Sequence, residues 1–187
     1  VIGAGFGGLW AARAFAGKNI DVTIIDKNNY HTFLALLYQV AAAELEAEQI
    51  AYPIRSIFRK QNNTDFILAQ AQKIDHQKKI IKTDNGFVHY DYLILAAGSV
   101  TETFNIKGVA QHAYFLKNLE QAIALKNHII CCFEAAVHEK NKTRRRELMT
   151  FVIAGGGATG IEYAGALAEL IHGPLIKDYH NIKLHDV

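Results

Sequence analysis

Gly3, Gly5 and Gly8 stand in a G-x-G-x-x-G spacing within Gly-Ala-Gly-Phe-Gly-Gly, and Gly155, Gly157 and Gly160 repeat it within Gly-Gly-Gly-Ala-Thr-Gly. Glycines so spaced can cradle phosphate. The first permits a tight turn, the second lets the backbone approach a pyrophosphate, and the third lets a helix pack closely on the preceding strand. The N-terminus of that helix adds unpaired N–H groups and a positive dipole end. Asp26 follows the first motif at the distance where a carboxylate accepts hydrogen bonds from a ribose 2′-hydroxyl.

The elements that must hold these residues are also written in the sequence. The apolar stub Val1-Ile2 precedes the first turn, and Leu9–Ala16 reads as a helix with Leu9, Ala12, Phe15 and Ala16 on one face. A strand over Asp21–Ile25 then ends at Asp26. Strand, glycines, helix, strand and acid in that order make a specific dinucleotide signature, where the spacing alone would be weak. An acid at position 26 disfavours a 2′-phosphate, so the first site is expected to take FAD or NAD and not NADP. Around the second turn, Thr150–Ala154 reads as a strand and Ile161–Ile171 as a helix, with Ile161, Ala164, Leu167, Ala168 and Ile171 on one face. Its ribose acid is open: Asp178 and Asp186 lie within reach, neither clearly ends an apolar strand, and an acid past Val187 is the third possibility.

Between the turns the pattern is β-rich. Phe66–Leu68, Ile80-Ile81 and Phe87-Val88 are short strands, with Asp84-Asn85-Gly86 as a turn. Tyr92–Ala96 reads as a continuous apolar strand of a buried parallel sheet, ending in Ala97-Gly98-Ser99. Residues 117–139 have a helical pattern. The basic run Lys140–Arg146 reads as a solvated helix end before a buried strand, with contact to phosphate or anionic lipid as the alternative. Phe33–Ala43 is apolar but too short to span a bilayer, and is expected as a packed helix.

Composition sets the bounds. The chain has 187 residues, a net charge of +2, and half its residues hydrophobic. That is one globular domain and a fraction at about 150 residues per domain. It excludes a disordered chain, a collagen-like chain and a basic nucleic-acid arm. Adjacent Cys131 and Cys132 are expected as two buried thiols on a helix, and without a C-x-x-C they encode neither a zinc ribbon nor a dithiol pair. The scattered histidines suggest no metal site. The chain opens on Val1 with only two residues before the first turn, so a piece of a longer protein is expected.

Two dinucleotide units in one chain imply electron traffic between two cofactors, which carry the chemistry while the protein positions them. The strings at 1–12, Asp26-Lys27-Asn28-Asn29-Tyr30-His31, Leu36–Ala41, Ile50–Arg55, Tyr90–Ala96 and Phe151–Leu170 resemble the type II NADH dehydrogenases. The resemblance covers nearly the whole chain. It implies an α/β fold of two Rossmann-like dinucleotide-binding units (the FAD/NAD(P)-binding fold) with a β-rich insertion, both units incomplete. It places the first part of a FAD-binding domain at 1–112 and the opening half of an NADH-binding domain at 113–187.

The resemblance implies that Gly3, Gly5, Phe6, Gly7, Gly8 and Asp26 bind FAD, with Lys27 and Ala71 beside the adenosine and Ala97-Gly98 where a loop passes the flavin. It implies that Gly155, Gly156, Gly157, Ala158, Thr159 and Gly160 bind NADH. Glu162, His31 and Gln39 become the catalytic candidates: the first matches an acid near the nicotinamide–flavin contact, and the others fall in the flavin-proximal segment. The bland alternative for Glu162 is an acid complementing its helix dipole. Departures are Ala35, where the family usually has proline, Ala97, where it has threonine, and Ala158, where proline is frequent.

The activity so implied is a non-proton-pumping NADH:quinone oxidoreductase, passing a hydride from NADH to FAD N5 and then two electrons to a membrane quinone. It implies no nucleic-acid partner, a peripheral location on the cytoplasmic face of the inner membrane through segments outside these residues, and leaves a homodimer open. The fragment alone is expected to be inactive. The alternatives are a sulfide:quinone reductase-like flavoenzyme, which needs cysteines near the flavin, and a non-catalytic dinucleotide-binding redox sensor.

Overall fold

A computed structural model describes residues 1–187. In chain order the elements begin with α1 (Phe6–Ala14), β1 (Val22–Asp26), β2 (Tyr30–Thr32), α2 (Leu37–Ala41), α3 (Ala47–Ile50), β3 (Ala51–Pro53), α4 (Ile54–Ile57) and β4 (Thr64–Leu68). They continue with β5 (Ala71–Asp75), β6 (Ile80–Thr83), β7 (Gly86–His89), α5 (Val109–His112), α6 (Leu119–His138), α7 (Lys142–Leu148), α8 (Ala158–Leu170) and α9 (Ile176–Asp178). The chain divides into two compact units, 1–32 with 51–100 and 33–50 with 101–187.

The first unit is built on a parallel sheet. β1 and β4 pair in parallel, Val22 opposite Thr64 through Asp26 opposite Leu68. Ile2 bridges Ile25 on one side and Leu95 on the other, both in parallel, so the lateral order is Leu95, Ile2, β1, β4. Alternation along β1 sends successive side chains to opposite faces. Ile24 joins Leu9 and Ala12 of α1, Ile54, Phe58 and Phe66 in one buried cluster. Ile25 joins Ile2, Ala69 and Ile81 in another, flanked by Ile74 and Val88 of the antiparallel β5–β6–β7 meander. The expected hairpin turn is present: Thr83 faces Gly86 across Asp84-Asn85, with Gly86 at φ 124°.

Two expectations in this unit need correction. The first helix ends at Ala14 and not Ala16, because Gly17 turns left-handed at φ 68° and the Asn63 side chain donates to the carbonyls of Phe15, Lys18 and Ile20. Tyr92–Ala96 is not a buried strand. It pairs only with the Ile2 stub, through Ile2 N–H to Ile94 O at 2.9 Å and Ala96 N–H to Ile2 O at 2.8 Å, and Tyr92 is 94% and Leu95 64% exposed. Leu93 packs against the Ile2–Ile25–Ala69–Ile81 cluster and Ile94 is half-buried, so the face carrying Tyr92 and Leu95 is the uncovered part.

The second unit is helical. Asn118 caps α6, its side chain accepting from Gln121 N–H, and Ala122, Leu125, Ile129, Phe133 and Ala136 form its buried stripe at i, i+3, i+4 spacing. α2 packs on α6 and on α8, and α7 packs on α6. The ring of Phe133 stacks on Phe151 and tilts against Tyr179, whose hydroxyl donates to Glu134 Oε1 at 2.7 Å.

Here sequence periodicity misplaced several features. Residues 150–154 form no strand, having no neighbour to pair with, and Val152 is 85% exposed. α8 buries Tyr163, Ala166, Leu167 and Leu170, while Ile161, Ala164 and Ala168 of the expected face are exposed. Phe33–Ala43 splits into a 3-10 turn over Leu34–Leu36 and the short α2. The basic run lies largely in α7, capped by Asn141, where Arg144 pairs with Glu147 and Arg145 reaches Asn181 O and Asp186. Only Cys132 of the two thiols is buried; Cys131 is exposed.

Candidate functional site

At the first turn the glycines are required by what surrounds them. Gly3 sits at φ 96°, and a Cβ there would collide with the carbonyl oxygen of Ala96. A Cβ on Gly8 would collide with the carbonyl oxygen of Gly3, which is how closely α1 approaches the strand. Gly5 differs: it is exposed, an added Cβ meets nothing within 4 Å, and it is the N-cap of α1 at φ −68°. Its carbonyl accepts the first helical bond from Leu9 N–H at 2.9 Å.

Asp26 closes the turn from the end of β1. Its Oδ2 accepts from Ala4 N–H at 2.6 Å and its Oδ1 from Asn28 N–H at 2.8 Å. A carboxylate offers about four acceptor positions, so two remain for hydroxyls of a bound ribose. His31, from β2, places Nδ1 2.8 Å from the Ala4 carbonyl, and its ring meets Phe6 edge-on with centroids 5.0 Å apart. Gly3, Ala4, Gly5, Phe6, Gly8, Asp26 and His31 therefore form one constellation. Gly7 lies against it, its added Cβ 3.9 Å from the Ala96 side chain. Ala97 and Gly98 are exposed just past that support, with Gly98 at φ 73°. Lys27 is exposed, and Ala71 opens β5, half-buried and paired with Thr83.

The second turn lies in the other unit. Gly160 repeats the part of Gly8, since its Cβ would collide with the carbonyl oxygen of Gly155, and Gly155 is left-handed at φ 116°. Nothing stands within 4 Å of a Cβ on Gly155, Gly156 or Gly157, and Gly157 caps α8. Ala158 opens α8, and Thr159 and Glu162 on its first turns line a cavity of about 120 Å³ with Leu34, Leu37, Tyr38 and Lys117. Gln39 is on α2 beside Tyr38 but outside that lining, and its carbonyl accepts from Glu44 N–H. Asp178 lies in α9, and Asp186 is engaged by Arg145 and Lys183 N–H, so neither ends a strand as a ribose acid does. The next residue of α8, Tyr163, has a buried hydroxyl without a partner, and burial pushes its pKa up to about 12.

Lys117 and the His31–Ala4 bond were not signalled by local sequence; each joins residues far apart in the chain.

With this geometry in place, the sequence profile of the pyridine nucleotide-disulphide oxidoreductases matches residues 1–180. The chain belongs to that family. Similar members include the type II NADH:quinone oxidoreductase Ndh of Mycobacterium tuberculosis, 36% identical over 174 residues, covering 91% of this chain and 38% of that protein. NDH2 of Plasmodium falciparum, solved in complex with NADH, superposes with a TM-score of 0.88 at 28% identity, covering 96% of this chain and 38% of that one. The sulfide:quinone oxidoreductase of Aquifex aeolicus matches less of it, with a TM-score of 0.63 at 25% identity over 71% of this chain and 31% of its own. The chain thus spans between 31% and 43% of the length of such relatives. The pyridine nucleotide-disulphide oxidoreductase fold accounts for both glycine turns. Cys131 and Cys132 on α6 form no disulphide.

Proposed function

We propose that this chain supplies the first part of a FAD-dependent NADH:quinone oxidoreductase of the type II NADH dehydrogenase kind. Residues 1–112 are read as the opening of its FAD domain and 113–187 as the opening of its NADH domain. The observation that carries the reading is the repetition of one turn twice in the chain, with Gly8 seated on Gly3 and Gly160 on Gly155. Likeness to an NADH-bound structure adds support.

In this reading Gly5, Phe6, Gly7 and Gly8 present backbone N–H groups to the pyrophosphate of FAD, Gly3 carries the turn, and Asp26 accepts from its ribose. Lys27 and Ala71 flank the adenosine, and Ala97-Gly98 pass the flavin. Gly155–Gly160 do the same for NADH. FAD held there would supply the hydride acceptor for NADH and the two-electron donor for a quinone. Glu162 stands in the Lys117 cavity as the acid beside the nicotinamide–flavin contact, with Gln39 and His31 in the flavin-proximal segment. No helix is long and apolar enough to cross a membrane. Attachment at the cytoplasmic face of the inner membrane, and any dimer, belong in this reading to the rest of the protein.

The test is direct. Purified protein carrying this chain should be yellow, bleach on adding NADH, and recover its colour on adding a soluble quinone. A protein that stays colourless with FAD supplied contradicts the flavoenzyme and favours a nucleotide sensor. Reduction by sulfide and not by NADH favours the sulfide:quinone reductase alternative.

A further inference from the structure

We infer that His31 is a positioning residue that aims the first glycine turn at its phosphate ligand, an inference that rests on the proposed binding of FAD there. Ala4 is the residue between Gly3 and Gly5, and both ends of it are held by side chains. Its N–H donates to Asp26 Oδ2 at 2.6 Å, and its carbonyl faces His31 Nδ1 at 2.8 Å. A carbonyl oxygen only accepts, so Nδ1 carries the proton in this contact. The imidazole is thereby fixed as a donor at Nδ1, whatever Nε2 does.

The consequence reaches the ligand through the peptide plane. In a trans peptide the carbonyl and the following N–H point in opposite directions, and the chain has no cis peptide bond. Holding the Ala4 carbonyl toward His31 turns the Gly5 N–H away from it. Gly5 is exposed with nothing within 4 Å of an added Cβ. The ring of Phe6, edge-on to His31, holds the next residue in the same orientation. Without the His31 bond that peptide plane is free to rotate, and each binding event must then order it. The groups against the imidazole are the Ala4 carbonyl and the Phe6 ring, and through the first of these it acts on the turn.

Asparagine and glutamine separate this role from simple packing. An asparagine amide nitrogen can stand where Nδ1 stands, whereas that of glutamine stands nearer the place of Nε2. In the protein that carries this chain, stripped of flavin and titrated with FAD, His31→Ala should weaken FAD binding about fivefold to tenfold, as the loss of one neutral hydrogen bond implies. His31→Asn should restore it to within about twofold and His31→Gln should not. The melting temperatures of the apoproteins check that all variants fold. Unchanged FAD affinity in His31→Ala, or equal affinity in the Asn and Gln variants, overturns the inference while leaving FAD at the first turn. If the wild-type apoprotein takes up no FAD, the proposed function falls and the inference with it.

Discussion

Around Gly3 the backbone of Ala96, the Asp26 carboxylate and the His31 ring enclose the turn, while around Gly155 no atom comes within 4 Å of where a side chain would begin. Both turns nevertheless seat their third glycine on the carbonyl of their first. The spacing G-x-G-x-x-G therefore encodes a local event, the close approach of a helix to the residue that precedes it. What surrounds that event is supplied by neighbouring strands. β1 ends in Asp26 and lies beside Ile2, so the first turn has a floor and an acid; residues 150–154 pair with nothing, and the second has neither.

The largest expected effect is at the first glycine of each motif. Gly3→Ala combines a left-handed φ with collision against Ala96 and should cost more than about 3 kcal/mol, enough to unfold the first unit. Gly155→Ala meets only the backbone penalty and should cost about 1–2 kcal/mol. Urea unfolding of the two variants measures this, and equal losses would break the contrast.

Next comes the acid. Asp26→Ala leaves Ala4 N–H and Asn28 N–H without their acceptor, which should destabilise the first unit by about 1–3 kcal/mol and weaken FAD binding. NADH binding at the second turn should be untouched. A fall in NADH affinity as large as that for FAD would show that the two turns are not separately held.

The smallest effect is with pH. Burial raises Tyr163 to about 12, and burial followed by the bond to Glu134 raises Tyr179 to about 12, both in the second unit. The folded state holds these protons more tightly than the unfolded chain, whose tyrosines titrate near 10. Their contribution is therefore complete below about pH 10 and lost as pH rises toward about 12. The melting temperature of the second unit should fall across that window. Replacing both tyrosines by phenylalanine should flatten the slope; an unchanged slope contradicts the assignment.

Much of this was legible in the residues. The turn at Gly3–Gly8, the strand ending at Asp26, the Asp84-Asn85 turn and the long helix α6 all follow from local chemistry. The failures share a cause. Tyr92–Ala96 and 150–154 are apolar and strand-like, but a side chain is buried only where another layer covers its face, as at Leu93 and not at Tyr92, Leu95 or Val152. Ile161 and Ala164 satisfy helical periodicity as well as Tyr163 and Ala166 do, and which face packs is decided by α2, distant in sequence. The His31–Ala4 bond and the meeting of Lys117 with Glu162 in one cavity likewise arise from folding, and no spacing announces them.

Gly5 and Gly157 give the most direct test of two cofactors at two turns. Both have ordinary φ, −68° and −75°, and open space at the Cβ position, so valine should fold at either while obstructing a phosphate. In the protein carrying this chain, Gly5→Val should be purified colourless. Gly157→Val should be yellow yet fail to bleach on adding NADH. Bound flavin in Gly5→Val, or full bleaching by NADH in Gly157→Val, would contradict the account.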